Sequence, residues 1–235
     1  MTGTILNVAA ILIGGGLGVF LGKRFPVKLR ETVMSCLGLF TFAYGISLFL
    51  KTENSLIVLT SLLVGILIGE WLQIEQALEN VGSWLEQRFN HSTEEGSQAR
   101  FIRGFLTASL LFCIGPMAIL GSIQDGLTGD YSLLAIKSTL DAFAAMAFAS
   151  SLGIGVLFSA ASILVYQGGI TLGAAQAQAI ISTQMMNEMT AVGGIILLAL
   201  SLSSLLGIMK IRAGNYLPAL FAAPFVVLLF NALGL

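Results

Sequence analysis

This sequence is short of charge. Asp, Glu, Lys and Arg make up only 10% of its 235 residues while 56% are hydrophobic, against roughly 25% charged residues in an ordinary soluble domain. Such a surface deficit excludes a soluble globule and places the chain in the membrane class. The formal net charge is −1, with no basic tail or stripe, so nucleic acid is excluded as a partner. Histidine is nearly absent. His91 alone lies in a polar loop, which leaves buried acid–base chemistry to carboxylates or lysine. The two cysteines, Cys36 and Cys113, fall inside apolar runs and read as small core hydrophobes rather than a disulfide or a metal pair. There is no nucleotide-binding loop, which argues against coupling to ATP, and no cofactor is expected. No basic stretch precedes the first apolar run, so a retained first span is expected in place of a cleaved signal peptide.

What the chain has in abundance is apolar runs of the ~20 residues that cross a hydrocarbon core. They predict an all-α fold, a polytopic transmembrane bundle forming a single membrane domain over residues 1–235. Eight spans are expected, at about 4–22, 32–50, 55–72, 101–120, 133–150, 151–167, 187–209 and 217–235. Beyond Gly69, Trp71, Ile74, Leu78, Val81 and Leu85 recur at alternating steps of three and four, with Glu75, Glu79 and Glu86 between them. That pattern predicts an amphipathic cytoplasmic extension over about 71–89, packing on a partner helix or the membrane surface. The polar stretch 90–99 reads as a flexible loop. Residues 121–130 are too polar and glycine-rich to continue a lipid-facing helix, and 172–186 read as interfacial or re-entrant.

Basic residues accumulate in short cytoplasmic loops. Eight spans put Lys23, Arg24, Lys28, Arg30, Arg88, Arg100, Arg103, Lys210 and Arg212 on one side, leaving Lys51 opposite and Lys137 within the membrane. Both termini are then expected to be non-cytoplasmic, in a prokaryotic inner membrane. Seven or nine spans would split the basic loops between two faces unless one segment is re-entrant. An internal repeat is faint: Asn7 through Lys23 to Pro26, and Asn187 through Lys210 to Pro218, share an order of features but not their spacing.

Gly14, Gly18 and Gly22 on the first span, and Gly65 and Gly69 on the third, form small-residue ladders suited to close packing inside one bundle or between two copies in a homodimer. Lys137 and Asp141, one turn apart on the fifth span, share a helix face. Either Lys137 snorkels outward while neutralising Asp141, or the two line a polar pathway, because ionisable groups at membrane depth are costly and commonly functional. Asp125 and Asp130, with Gln124, flank the entry to that span, and the three carboxylates and one ammonium are expected to converge near one membrane face. Oxygen ligands alone would favour a hard ion, but the spacing fits no standard metal loop. Gly115-Pro116 predicts a helix break, of the kind that exposes carbonyls to a binding cavity in transporters, or else a simple kink. Asn187 and Glu188 are expected at the N-terminus of the seventh span, Asn187 as a cap and Glu188 as a buried carboxylate among Met185, Met186 and Met189. Gln167, Gln176, Gln178 and Gln184 suit an aqueous approach or an interfacial face, Glu70 an interfacial charge, and Asn7 an interhelical or cavity role.

Together, Gly3-Thr4-Ile5-Leu6-Asn7 leading into Ile13 to Gly16, Ile68-Gly69-Glu70, the segment Gly115-Pro116 to Asp125-Gly126, Lys137-Ser138 through Asp141, and Glu188 to Gly194 resemble the YdfK/YqgA-type bacterial membrane proteins, the domain-of-unknown-function family numbered 554. The resemblance covers essentially the whole chain. It implies a multi-pass prokaryotic inner-membrane protein and supplies no catalytic residues. The residues themselves favour a secondary transporter or permease for a small solute or ion, proton- or cation-coupled, with the lipid bilayer as its other partner. Alternatives are a scaffold or sensor that recruits a partner through the 71–89 helix, and an intramembrane hydrolase using Asp130 and Asp141 as an aspartyl dyad.

Overall fold

The computed structural model describes residues 1–22, 26–89 and 96–233, with backbone alone at 27, 30, 89, 116, 177, 178 and 180. Lys23, Arg24, Phe25, His91 and most of the polar loop lie outside the described residues, as do the side chains of Arg30, Pro116 and Gln178. Everything regular among the described residues is helical: α1 (Thr2–Gly22), α2 (Val27–Phe49), α3 (Ser55–Leu72), α4 (Ile74–Phe89), α5 (Ser97–Cys113), α6 (Pro116–Thr128), α7 (Ser132–Leu152), α8 (Ser159–Leu172), α9 (Ala174–Ile180), α10 (Thr183–Leu200) and α11 (Pro218–Leu233). The chain divides into two compact units. One comprises Met1–Leu37, Glu79–Cys113 and Met117–Gln178; the other comprises Gly38–Leu78, Ile114–Pro116 and Ala179–Leu235.

In the first unit α1 lies along α7. A Cβ on Gly14, Gly18 or Gly22 would run into the backbone carbonyls of Ala142, Met146 and Ser150, so hydrogen at these positions permits the contact. Both residue series rise together, and the helices are therefore parallel. Thr4 faces Thr171 and Asn7 faces Gln167, which makes α8 antiparallel to α1. Phe101 against Gly155 and Ser109 against Ser162 set α5 parallel to α8. In the second unit Gly65 and Gly69 meet Ala219 and Asn215, so α3 and α11 are antiparallel. Gly38 against Leu206 and Gly45 against Leu198 make α2 and α10 antiparallel as well. Both glycine ladders are thus filled from within the chain and offer no face to a second copy.

Seven helices are long and apolar enough to cross a membrane, and α5 with α6 forms a further pair bent by 62°. The helix directions bear on whether that pair crosses. Parallel α1 and α7 need an odd number of crossings between them, and α2 and α3 supply two. Antiparallel α3 and α11 need an even number, and α7, α8 and α10 supply three. Both conditions are met when the bent pair is one crossing, which gives eight.

Several boundaries differ from those expected. The third helix does not run on into the amphipathic stretch, because Gln73, with φ +51°, closes α3 and α4 starts anew. Residues 121–128 remain helical in α6, since their polar side chains are satisfied locally: Ser122 Oγ donates to the Ala118 carbonyl and Thr128 Oγ1 to that of Gln124. Ser97 to Ala99 belong to α5, and α8 reaches Leu172, five residues past the expected end of the sixth span. The seventh span begins at Thr183, where Ser182 Oγ accepts from the Met185 amide at 3.2 Å, and closes with a π-turn over Ser201–Leu205.

Candidate functional site

The structure divides the expected charge cluster into three settings. Asp130 is exposed in the turn before α7. Its Oδ1 accepts from the hydroxyl and amide of Ser132 at 2.6 and 2.9 Å, and Gln124 donates to its Oδ2 at 2.8 Å. The Ser132 hydroxyl, then its amide, hold the Asp130 carboxyl below the ordinary carboxylate range, a capping role at a helix start. Asp125 is buried on α6, where its Oδ2 accepts from the Gly3 amide and pairs with the Met1 amine, both at 3.0 Å. It thereby complements the positive end of α1.

Lys137 and Asp141 form the third setting, a buried ion pair on α7. Ser132 to Asp141 is nine residues, about 13 Å of helix, so Asp130 and Asp141 form no aspartyl dyad and the hydrolase reading falls. What surrounds Asp141 is α1 and α8. Asn7 Nδ2 donates to Asp141 Oδ2 and to Gln167 Oε1, both at 3.0 Å, with Asn7 and Gln167 fully buried. The carboxylate fixes the Asn7 amide, because a flip would set carbonyl oxygen against it. Two amide atoms are then left without partners: Asn7 Oδ1, an acceptor, and Gln167 Nε2, a donor. Leaving such a group unpaired costs about 1–3 kcal/mol each, in a fold that satisfies nearly every other buried polar atom.

The helix break adjoins this pair. α5 ends at Cys113, whose thiol lies within electrostatic reach of Lys137 and Asp141, and Gly115 follows at φ +137°. The last four carbonyls of α5 have no intrahelical donor, so the negative end of its dipole is presented there.

In the second unit Glu188 is a carboxylate with no exposed surface, inside α10 rather than at its N-terminus. It accepts from Thr52 Oγ1 at 2.6 Å and from the amides of Glu53 and Asn54 at 2.8 and 3.0 Å, and so anchors the α2–α3 turn. Asn187 donates to Glu53 at 2.7 Å on the same turn and caps nothing. Glu70 pairs with Arg212 at 2.9 Å.

The family described as "Protein of unknown function (DUF554)" matches residues 2–228. The chain belongs to the DUF554 family. It is 36% identical over 221 residues to "Uncharacterized protein YqgA" of Escherichia coli (strain K12), covering 94% of each chain. It is 33% identical over 239 positions to "Uncharacterized membrane protein YdfK" of Bacillus subtilis (strain 168), covering 100% of this chain and 99% of that one. No solved structure matches. Membership agrees with the resemblance read from the sequence and with a many-helix membrane protein.

Within this DUF554 chain, two partners of the ion pair carried only weak sequence signals. Asn7 and Gln167 read as polar residues of open role, and their joint approach to Asp141 depends on tertiary packing. Cys113 read as a core hydrophobe. The turn residues Thr52 to Asn54 gave no hint of binding Glu188, since a carboxylate held by backbone amides leaves no pattern of side chains.

Proposed function

We propose that this protein is a secondary transporter or permease for a small solute or ion, and that Asp141 and Lys137 with Asn7 and Gln167 are its working site. One observation carries the reading. A buried ion pair in the middle of a span joins two amide groups that face each other across α1 and α8 with one hydrogen-bonding atom left over on each. Charges held out of water without need tend to mark pathways, and a purely structural pair would be expected to bring a closed hydrogen-bond network with it. The adjoining break at Gly115 suits the same role, since helix ends supply fixed dipoles to a site at membrane depth. Asp125 and Asp130 are placed at the approach, and Glu188 is a brace in the other unit.

Charge distribution supports a bacterial inner-membrane location with both termini outside the cytoplasm. The experiment uses the full chain in liposomes loaded with a fluorescent pH dye, challenged in turn with gradients of alkali cations, ammonium, amino acids and carboxylates. At least one gradient drives proton movement that Asp141→Asn abolishes and Asp130→Asn preserves. Identical traces for wild type and Asp141→Asn under every gradient would remove the site from the mechanism.

A scaffold reading has one observation in its favour: α4 buries Gly82 and Glu86 toward α5 but leaves Val81 and Trp84 exposed, Trp84 by 62%. Tryptophan at this position suits the headgroup layer of the bilayer, so the exposed face is assigned to lipid.

A further inference from the structure

We infer that the Asn7–Asp141–Lys137 cluster is a site for one alkali cation, taken up in exchange for one proton. The inference rests on the transport reading and names its coupling ion.

The argument begins with unused oxygen. Lys137 and Asn7 both donate to Asp141 Oδ2, and Oδ1 receives no hydrogen bond among the described residues. Asn7 Oδ1 is buried and has no donor. One turn away Thr4 and Thr171 share a single hydrogen bond at 3.3 Å, and each hydroxyl oxygen keeps a lone pair. Such a set consists wholly of hard oxygen donors, which favour alkali and alkaline-earth ions over transition metals. A single carboxylate supplies one negative charge, so a monovalent ion matches it and a divalent ion does not. Gln167 Nε2 is a donor and cannot ligate a cation. It suits the oxygen of a water that the ion retains.

Charge balance sets the exchange. With Lys137 an ammonium and Asp141 a carboxylate, the cluster is neutral. An added cation would leave it positive out of water, which is strongly unfavourable. If the ammonium gives up one proton as the cation arrives, neutrality holds: the Nζ–H···Oδ2 ion pair opens, the proton leaves to water, and the cation takes the carboxylate. The other titratable groups around the pair are Cys113 on α5, Tyr166 on α8, Asp125 on α6 and the Met1 amine at the start of α1. Only Lys137 donates to Asp141 with a charge, so the released proton is assigned to it.

The test uses the purified full chain in detergent and weak buffer, titrated with sodium or potassium chloride, with choline chloride as the control for ionic strength. The alkali salts release about one proton per protein in a saturable manner and raise the thermal midpoint, and choline does neither. Apparent affinity rises about tenfold per pH unit, as competition with one proton requires. Lys137→Gln keeps cation-dependent stabilisation but loses proton release and the pH dependence of affinity. Asn7→Ala weakens the cation response about tenfold with unchanged far-UV circular dichroism, and Asn7→Ser, which keeps an oxygen, serves if the alanine variant does not fold. Equal responses to choline and sodium, or proton release that survives Lys137→Gln, would overturn the site. Solute flux that needs Asp141 but no alkali cation would leave transport standing and refute the cation site. Cation binding with proton release but no flux in liposomes would do the reverse.

Discussion

Hydrogen on the Cα atoms of Gly14, Gly18 and Gly22 decides how closely α1 meets α7. Gly14→Val or Gly18→Val forces the helices apart and costs about 1–3 kcal/mol, the usual penalty for overpacking. Gly16, on the same helix, has open space around its Cα. Gly16→Ala is therefore neutral or slightly stabilising, given the better helix propensity of alanine, and thermal unfolding in detergent separates the two classes. Asp130 contributes in a pH-dependent way. Its folded-state pKa is depressed by Ser132, so its contribution is present above the unfolded value, near 4, and is lost as pH falls through the lower folded value. The stability difference between wild type and Asp130→Asn is constant at neutral pH and vanishes in acid, which unfolding midpoints from pH 7 down to pH 3 will follow. The ladder at 14, 18 and 22 was legible in the sequence because spacing by four is a local property of one helix. Its partner was not, since the facing atoms on α7 are backbone carbonyls, which every residue has.

At the scale of elements, the break between α5 and α6 is where sequence and structure agree most closely. Proline after glycine left no other outcome, and Gly115 adopts a φ that favours glycine. A Cβ there meets nothing within 4 Å, so Gly115→Ala carries backbone strain alone, about 1–3 kcal/mol. Gly169→Ala, equally open and helical, carries none. Expectations failed where a side chain serves a distant element. Glu188 read as a helix-end carboxylate because the polar pair Asn187-Glu188 follows an alanine- and glutamine-rich stretch. The true cap is Ser182, five residues earlier than Asn187, and the carboxylate spans the bundle to the α2–α3 turn. Glu188→Ala strips three donors of their acceptor and destabilises the protein by at least about 2 kcal/mol, whereas Glu70→Ala, which breaks an exposed pair with Arg212, changes stability by under about 1 kcal/mol.

On the scale of the whole molecule, composition and hydropathy made the membrane class and the helical fold legible, because the bilayer permits few ways to satisfy backbone polar groups. Eight crossings followed from charge placement in the sequence and agree with helix directions in the structure, two arguments that share no observations. Reporter fusions at either end should therefore be active as extracytoplasmic proteins, with a fusion in the 90–95 loop cytoplasmic. The candidate site was half legible. Lys137 and Asp141 stood out as charges in an apolar run, but Asn7 and Gln167 lie 134 and 26 residues from Asp141, and only the packing of α1 and α8 on α7 unites them.

A buried ion pair can be replaced by neutral groups of the same shape at little cost, while removing one partner alone costs about 3–5 kcal/mol. Lys137→Gln combined with Asp141→Asn therefore separates a structural role from a working one. Measured in liposomes beside the wild type, the double variant is expected to keep its thermal midpoint within a few degrees and to lose proton-linked flux. Flux at the wild-type rate from the neutral pair would contradict the account.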